Sequence, residues 1–321
     1  MRQLSIILLS SACVLAFAQS HAASKDDAAP LPEGVQGYSL SGEALVSPAP
    51  DRETLEKLEA ARTEYEKNPG DADAIVWYGR RMAYAGDYRS AIRIFSEGME
   101  KHPTDARMYR HRGHRYISVR EFDRAVEDLE YASKLIGGEE NRIEPDGLPN
   151  ALNIPVSTLH GNIWYHLGLA YYLKHDWTNA WRAFQAGFET GGNDDNRVST
   201  THWRYMILRR TGRAAEAARI LDDITANMNV IENTVYHRLC LFYKGEVSLA
   251  EITAEDSDDP TGAAGAYGVA NWFFYNGDKA QARRRLEALT ASPGWDSFGY
   301  IAAEADLAFP DSPAASVEAS R

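Results

Sequence analysis

Three histidines have a spacing that could do chemistry. His111 and His114 stand three residues apart, on one face of any helix that contains them, and His166 follows 55 residues after His111. Imidazole nitrogens gathered in this way suit a divalent transition metal such as zinc. The supporting signals are missing, because there is no HExxH and no paired Cys and His spacing. Asp256, Asp258 and Asp259 crowd carboxylates into one turn, but the glycine and terminal glutamate of a calcium loop do not follow. No GxSxG and no Walker A loop occurs. The glycine cluster GAAGAYG, Gly262 to Gly268, opens a helical stretch instead of following a strand, so it is not a dinucleotide fingerprint. No catalytic residue, cofactor or metal is therefore assigned, and the chain reads as a non-enzyme. Carboxylates brought together from different helices are the one catalytic arrangement that sequence order would hide.

The elements that must position these residues repeat. Gly79 recurs as Gly113, Ala91 as Ala125, Phe95 as Leu129 and Gly98 as Ala132, each pair 34 residues apart. Within IVWYGRRMAYAGDYRSAIRIFSEGMEKHP, apolar residues keep helical spacing, Gly86 and Asp87 interrupt it, and a second helical stretch runs to Glu100 before Pro103. Each unit is thus two antiparallel helices. Gly79, Ala91 and Gly98 are small where the helices approach most closely, and Tyr78, Met82, Ile92 and Phe95 fill the space between them.

This pattern resembles the tetratricopeptide repeat family. From Ala72, the chain supplies Ile75, Tyr78, Gly79, Met82, Ala91, Phe95, Gly98 and Pro103 at the family's characteristic positions. The unit from Ala106 supplies Tyr109, Gly113, Tyr116, Ala125, Leu129 and Ala132, departing at Arg112 and Gly137. A third unit, with Trp164, Leu167, Gly168, Tyr171, Ala180, Phe184 and Gly187, lies 55 residues after the second, which implies a 21-residue insertion. A fourth has Gly212, Ala217 and Leu221 but carries the bulky Tyr205 at its eighth position, and two degenerate pairs turn about Gly245 and Gly277. The resemblance implies an all-α superhelix, a solenoid of about six helix pairs, with repeats at about 72–105, 106–139, 161–194, 198–231, 232–262 and 263–296 inside a domain of 51–309. Taken whole, the run is similar to secreted bacterial proteins of this repeat class, a likeness that assigns no chemistry.

In that family the first helix of each pair lines a concave groove. Carried over, the inward positions are Trp77, Arg80 and Tyr84; Arg107, Arg110, His111 and His114; Asn162, Tyr165, His166 and Tyr172; and His202, Trp203, Arg209 and Arg210. Asp73 and Glu232 are the acidic exceptions. A basic, aromatic stripe in an acidic chain would receive an anionic peptide, protein or envelope polymer, arginine by bidentate hydrogen bonds and the rings by apolar contact. The competing reading is that these rings are packing residues. The family's clamp for C-terminal carboxylates is matched only by Arg110 and Asn162, so no such ligand follows. A structural alternative is an envelope component that uses the convex face or the array's ends.

The flanks complete the reading. Residues 1–22 resemble a Sec signal peptide, with Arg2, an apolar stretch from Leu4 to Phe17 and small residues after which cleavage would fall. That implies a periplasmic or secreted protein without a transmembrane segment. Ser10, Ser11 and Ala12 make a poor lipobox before Cys13, and with Cys13 removed Cys240 is alone, so no internal disulfide forms. Cys240, in LCLFY, reads as a small buried hydrophobe. Residues 23–50, with Pro30, Pro32, Pro48 and Pro50, read as an extended or disordered lead-in. Glu53–Glu66 and Ser297–Phe309 read as capping helices, 310–321 as a tail. The insertion, 137–160, contains Pro145, Pro149 and Pro155 and is expected to pack across the groove mouth or beside the third unit, the alternative being a loose loop. A net charge of −12 argues against a nucleic-acid partner.

Overall fold

The computed structural model describes residues 31–253 and 260–309. The signal segment, the start of the lead-in, Asp256, Asp258 and Asp259, and the tail lie outside the described residues. Strands β1 (Val35–Tyr38) and β2 (Ala44–Val46) precede helices α1 (Arg52–Lys67), α2 (Ala72–Tyr84), α3 (Tyr88–Lys101), α4 (Ala106–Ser118) and α5 (Phe122–Leu135). After the insertion come α6 (Leu159–Leu173), α7 (Trp177–Gly191), α8 (Asp194–Arg210), α9 (Ala214–Arg219), α10 (Thr234–Lys244), α11 (Leu249–Thr253), α12 (Pro260–Tyr275), α13 (Lys279–Thr290) and α14 (Phe298–Ala308). The architecture is all-α, with successive helices packed in pairs. The chain forms two compact units, one joining residues up to Tyr38 with Ala44–Glu139, the other joining Ser39–Glu43 with the chain from Glu140.

The pairing follows from three repeated devices. Aspartates before the helices accept from the first-turn backbone: Asp71 from Ala74 N–H (2.8 Å), Asp87 from Ser90 (2.9 Å) and Asp176 from Asn179 (3.1 Å). Each such cap stabilises its helix by about 1 kcal/mol. At the eighth repeat position a Cβ on Gly79 would lie 2.5 Å from the Phe95 ring, on Gly113 2.7 Å from Leu129, and on Gly168 2.8 Å from Phe184. Only glycine lets those side chains cross the helix axis. The turn inside each pair takes a left-handed residue: Gly86, Arg120, His175, Gly212, Gly245 and Gly277. Arg120 and His175 do so at a cost on the order of 1 kcal/mol.

Three features go beyond what the sequence implied. From residue 35 the extended lead-in is paired, β1 lying antiparallel to β2. Arg89 Nε donates to Gln36 O (2.6 Å), and Gly37 abuts the Val119 carbonyl so closely that a Cβ would stand 3.0 Å from its oxygen. These ties come from residues far along the chain, which strands this short could not advertise. The fourth pair is truncated: α9 has six residues, and Tyr205, where other repeats have glycine, stacks on Tyr243 at 4.3 Å. A ring at that position fills the space a second helix would use. The third is α14, the C-terminal flanking helix, in which Gly299 to Asp306 are all buried. A Cβ on Gly299 would lie 2.1 Å from the Ala263 carbonyl oxygen, so α14 crosses α12 almost backbone to backbone.

The insertion is ordered and lies beside the third pair. Glu144 N–H donates to Ser157 O (2.9 Å), Asn141 Nδ2 to Thr190 O (3.0 Å) and Asn193 Nδ2 to Val156 O (2.7 Å), which clips the loop to the C-terminal end of α7 and the start of α8.

Candidate functional site

The first unit carries the accessible part of the expected stripe. Helix α2 buries Ala74, Ile75, Val76, Gly79 and Ala83, so Trp77, Arg80, Arg81 and Tyr84 fall on its other side, each half-buried. The Arg80 guanidinium lies 4.5 Å from the Trp77 ring centre, and its Nη2 donates to Tyr84 Oη (3.3 Å). Arg81 lies 5.2 Å from Trp77 and 5.7 Å from Tyr84. Stacking of this kind holds planar guanidinium groups in a fixed orientation, which is what bidentate recognition of a carboxylate needs. Burial pulls the Arg81 pKa below the usual arginine range. Trp77 and Arg81 also line a cleft of 420 Å³ between α1 and α2, with Lys57, Ala60, Ala61, Glu64, Asp71, Asp73 and Ala74.

Helix α4 contributes less than its composition suggests. Arg107 bonds Asp105 (2.6 Å) and reaches Asp73 on α2 (2.5 Å), and these bonds, Asp105 foremost, raise its pKa above the usual range. Arg112 forms a buried two-bond pair with Asp128, both at 2.7 Å. Arg110 is buried, its Nη1 2.6 Å from His111 Nδ1, and His111 stacks on Phe95 at 5.3 Å. His114 is half-buried.

The second unit buries four of the expected residues. Tyr172 and Trp203 are 1% exposed, His202 0% and His166 4%. Helices α10, α12 and α14 of the same unit supply the groups that cover them, Tyr236 and Tyr243 of α10 lying on His202 at 4.9 and 5.8 Å. Tyr172 Oη bonds Tyr267 Oη of α12 (2.8 Å) and accepts from Asn271 Nδ2 (3.0 Å). Phe298 of α14 meets His166 edge-on at 5.6 Å. Tyr165 shares a bond with Tyr236 Oη (2.9 Å) and accepts from Trp203 Nε1 (3.0 Å), and burial pushes its phenol well above the ordinary range. Arg209 lies over Tyr275 (4.4 Å) and donates to Asn276 (2.7 Å), while Asn162 donates to Glu144 of the insertion (2.5 Å). His166, Tyr172, His202 and Trp203 are therefore buried by the chain's own side chains, while Tyr165 is half-buried.

At the centre of that core sits Asp306. Its carboxylate accepts from Tyr267 Oη (3.0 Å) and from Arg210 Nη2, and pairs with His175 Nε2 (3.1 Å). Burial would raise its pKa, but the Arg210 charge and the His175 bond outweigh that and hold it below the carboxylate range. Nothing in the spacing of Asp306, near the C-terminus, points to partners on α8, on α12 and in the turn after α6.

Among the described residues no three His, Cys, Asp or Glu side chains gather as a metal would require. His166 Nδ1 bonds the Asn162 carbonyl (2.6 Å) in its own helix. Cys240 is fully buried, its thiol pushed up by burial, with Sγ 3.7 Å from Val198 O. It packs as a small hydrophobe. No helix among the described residues is long and apolar enough to cross a membrane.

In three pairs a glycine at the same repeat position admits the side chain at the same second-helix position, Phe95, Leu129 or Phe184, at a constant period in the first two. The fold is that of tetratricopeptide repeats. Solved structures align with the repeats at low identity. YrrB, described as a tetratricopeptide protein with an unusual peptide-binding site, is 16% identical over 79% of this chain and 95% of its own, with a TM-score of 0.40. A tetratricopeptide repeat protein from Parabacteroides merdae is 12% identical over 78% and 92%, with a TM-score of 0.45. The Cut9–Hcn1 hetero-tetramer structure is 14% identical over 79% of this chain and 40% of the matched chain, with a TM-score of 0.45. No family model matches the sequence. No curated protein matches it either.

Proposed function

We propose that this chain is a non-catalytic binding scaffold, exported by its N-terminal segment to the periplasm or beyond, that receives an anionic peptide or protein segment on the α2 face of its first unit. The observation that carries this reading is the contrast between units. His166, Tyr172, His202 and Trp203 on α6 and α8 are buried by the chain's own packing, whereas Trp77, Arg80 and Tyr84, joined by Arg81, are only half-buried and stand beside a cleft. A carboxylate would take the stacked guanidinium groups and a neighbouring apolar side chain would lie on Trp77.

A structural reading has one observation in its favour. The insertion exposes Ile143 by 58%, Leu148 by 67%, Leu152 by 62% and Ile154 by 48%, four apolar side chains in one loop available to an assembly partner. One experiment separates the two. Peptides selected by display on the purified chain should be rich in Asp or Glu beside an apolar residue. Arg80→Ala with Arg81→Ala should weaken them by about 2 kcal/mol, roughly 30-fold, with the circular dichroism spectrum unchanged. If those peptides bind the double variant as well as they bind the parent, the α2 face is not the site. Loss only in Leu148→Asp with Leu152→Asp would favour the insertion instead.

A further inference from the structure

The second unit contains a different arrangement of arginines and rings, made of residues that take part in neither the α2 face nor the Asp306 bonds. Trp181 and Phe188 lie seven residues apart on α7, and Arg197 and Arg204 seven apart on α8, so each pair falls on one helix face two turns apart. The side chains interleave. Arg204 stands 4.4 Å from the Phe188 ring centre and 5.0 Å from that of Trp181. Arg197 takes Phe188 at 5.2 Å, and Arg213 takes Trp181 at 5.3 Å.

Arg204 is the unusual member. It is 7% exposed, yet it makes no hydrogen bond or ion pair with any described residue, and its Nε is fully enclosed. Its neighbours in the row are supplied differently. Arg213 gives Nε and Nη2 to Glu216 (2.8 and 2.6 Å) but keeps Nη1 buried and unbonded. Arg197 approaches Asp223 at 3.9 Å, and that carboxylate is 81% exposed. Glu189 acts on Arg204 only through its field, and burial pulls the guanidinium down to about 10. A buried cation normally has a bonded counter-charge, because desolvation without one is costly and π contacts replace only part of the lost hydration.

We infer that Arg204, held between Trp181 and Phe188 and flanked by Arg197 and Arg213, is a binding site for a single oxyanion, a carboxylate or phosphate group. The rings fix the guanidinium plane, and Arg204 offers the bonds that the protein leaves unmade. The site is independent of the α2 face, so either assignment can fail without the other.

Thermal unfolding of the full mature chain, followed by circular dichroism, tests it with inorganic phosphate and with acetate, each against sodium chloride at equal ionic strength. The wild type should gain about 3 °C in Tm at saturating anion, more than in chloride, and Arg204→Met should gain nothing beyond the chloride response. A gain with phosphate alone assigns a tetrahedral ligand, and a gain with acetate a carboxylate-bearing one. Without added anion, Arg204→Met should be at least as stable as the wild type, because it removes an uncompensated buried charge. Equal responses of the two proteins to every anion overturn the site. So does an Arg204→Met protein that is less stable from the outset and shows the wild type's anion response, since Arg204 would then be a packing residue only.

Discussion

Replacing Asp306 by alanine leaves the Arg210 guanidinium buried on α8 with no carboxylate. Its side chain is 7% exposed and that of Asp306 5%, so water cannot replace the lost partner without opening the core. Breaking a buried pair from one side costs about 3–5 kcal/mol, a large share of a typical stability of about 5–15 kcal/mol. Tyr267 and His175 lose an acceptor in the same step. Removing both charges should cost less, because Arg210 already lies on Phe274 at 4.1 Å, and a methionine can keep that contact. Urea unfolding followed by tryptophan fluorescence and circular dichroism should therefore rank wild type, Asp306→Ala with Arg210→Met, then Asp306→Ala alone. The pH dependence supplies a second readout. Asp306 is held below its ordinary value of 3.8, so its contribution is fully present above the unfolded-state pKa and is lost as pH falls through the folded one. The wild type should lose its advantage over the double variant below about pH 4. A cost under about 1 kcal/mol for Asp306→Ala, or a double variant as weak as the single one, would show that α14 is held by apolar contact alone.

Two further outcomes follow from the core. Burial pulls His202 down to about 3, so it stays neutral when folded, and protonation of the unfolded chain below pH 6.5 works against folding. Between pH 7.5 and pH 5 the wild type should lose about 2 kcal/mol relative to His202→Gln, and parallel stability curves for the two proteins would contradict this. Gly168→Val should cost about 1–3 kcal/mol, because a Cβ there meets the Phe184 ring at 2.8 Å. The measurement is the thermal midpoint, and an unchanged one would mean that the helix pair tolerates separation.

Much of the fold was legible because the devices that build it are local and periodic. Gly79, Gly113 and Gly168 announce close helix approach, and Gly86, Gly212, Gly245 and Gly277 announce the turns. Helix α1 carries no buried residue and is the polar flank its Glu and Lys content implied. The candidate site was half legible. Trp77, Arg80 and Tyr84 share one face of α2, as their spacing requires, and Arg81 joins them there. The row of Trp181, Phe188, Arg197 and Arg204 has legible seven-residue spacings, but only the packing of α7 on α8 interleaves them.

The sequence by itself determined the period, the helix pairs and the small residues between them, because each of these depends on neighbours within one or two repeats. It could not say which inward faces stay open. Tyr172, His202 and Trp203 have the residue types of a ligand groove, and Trp77 and Arg80 have the same types. The difference is made by α10, α12 and α14, which lie against α6 and α8 within the second unit, with Asp306 answering Arg210 from 96 residues away. Such a contact leaves no periodic trace, and only the tertiary structure decides it.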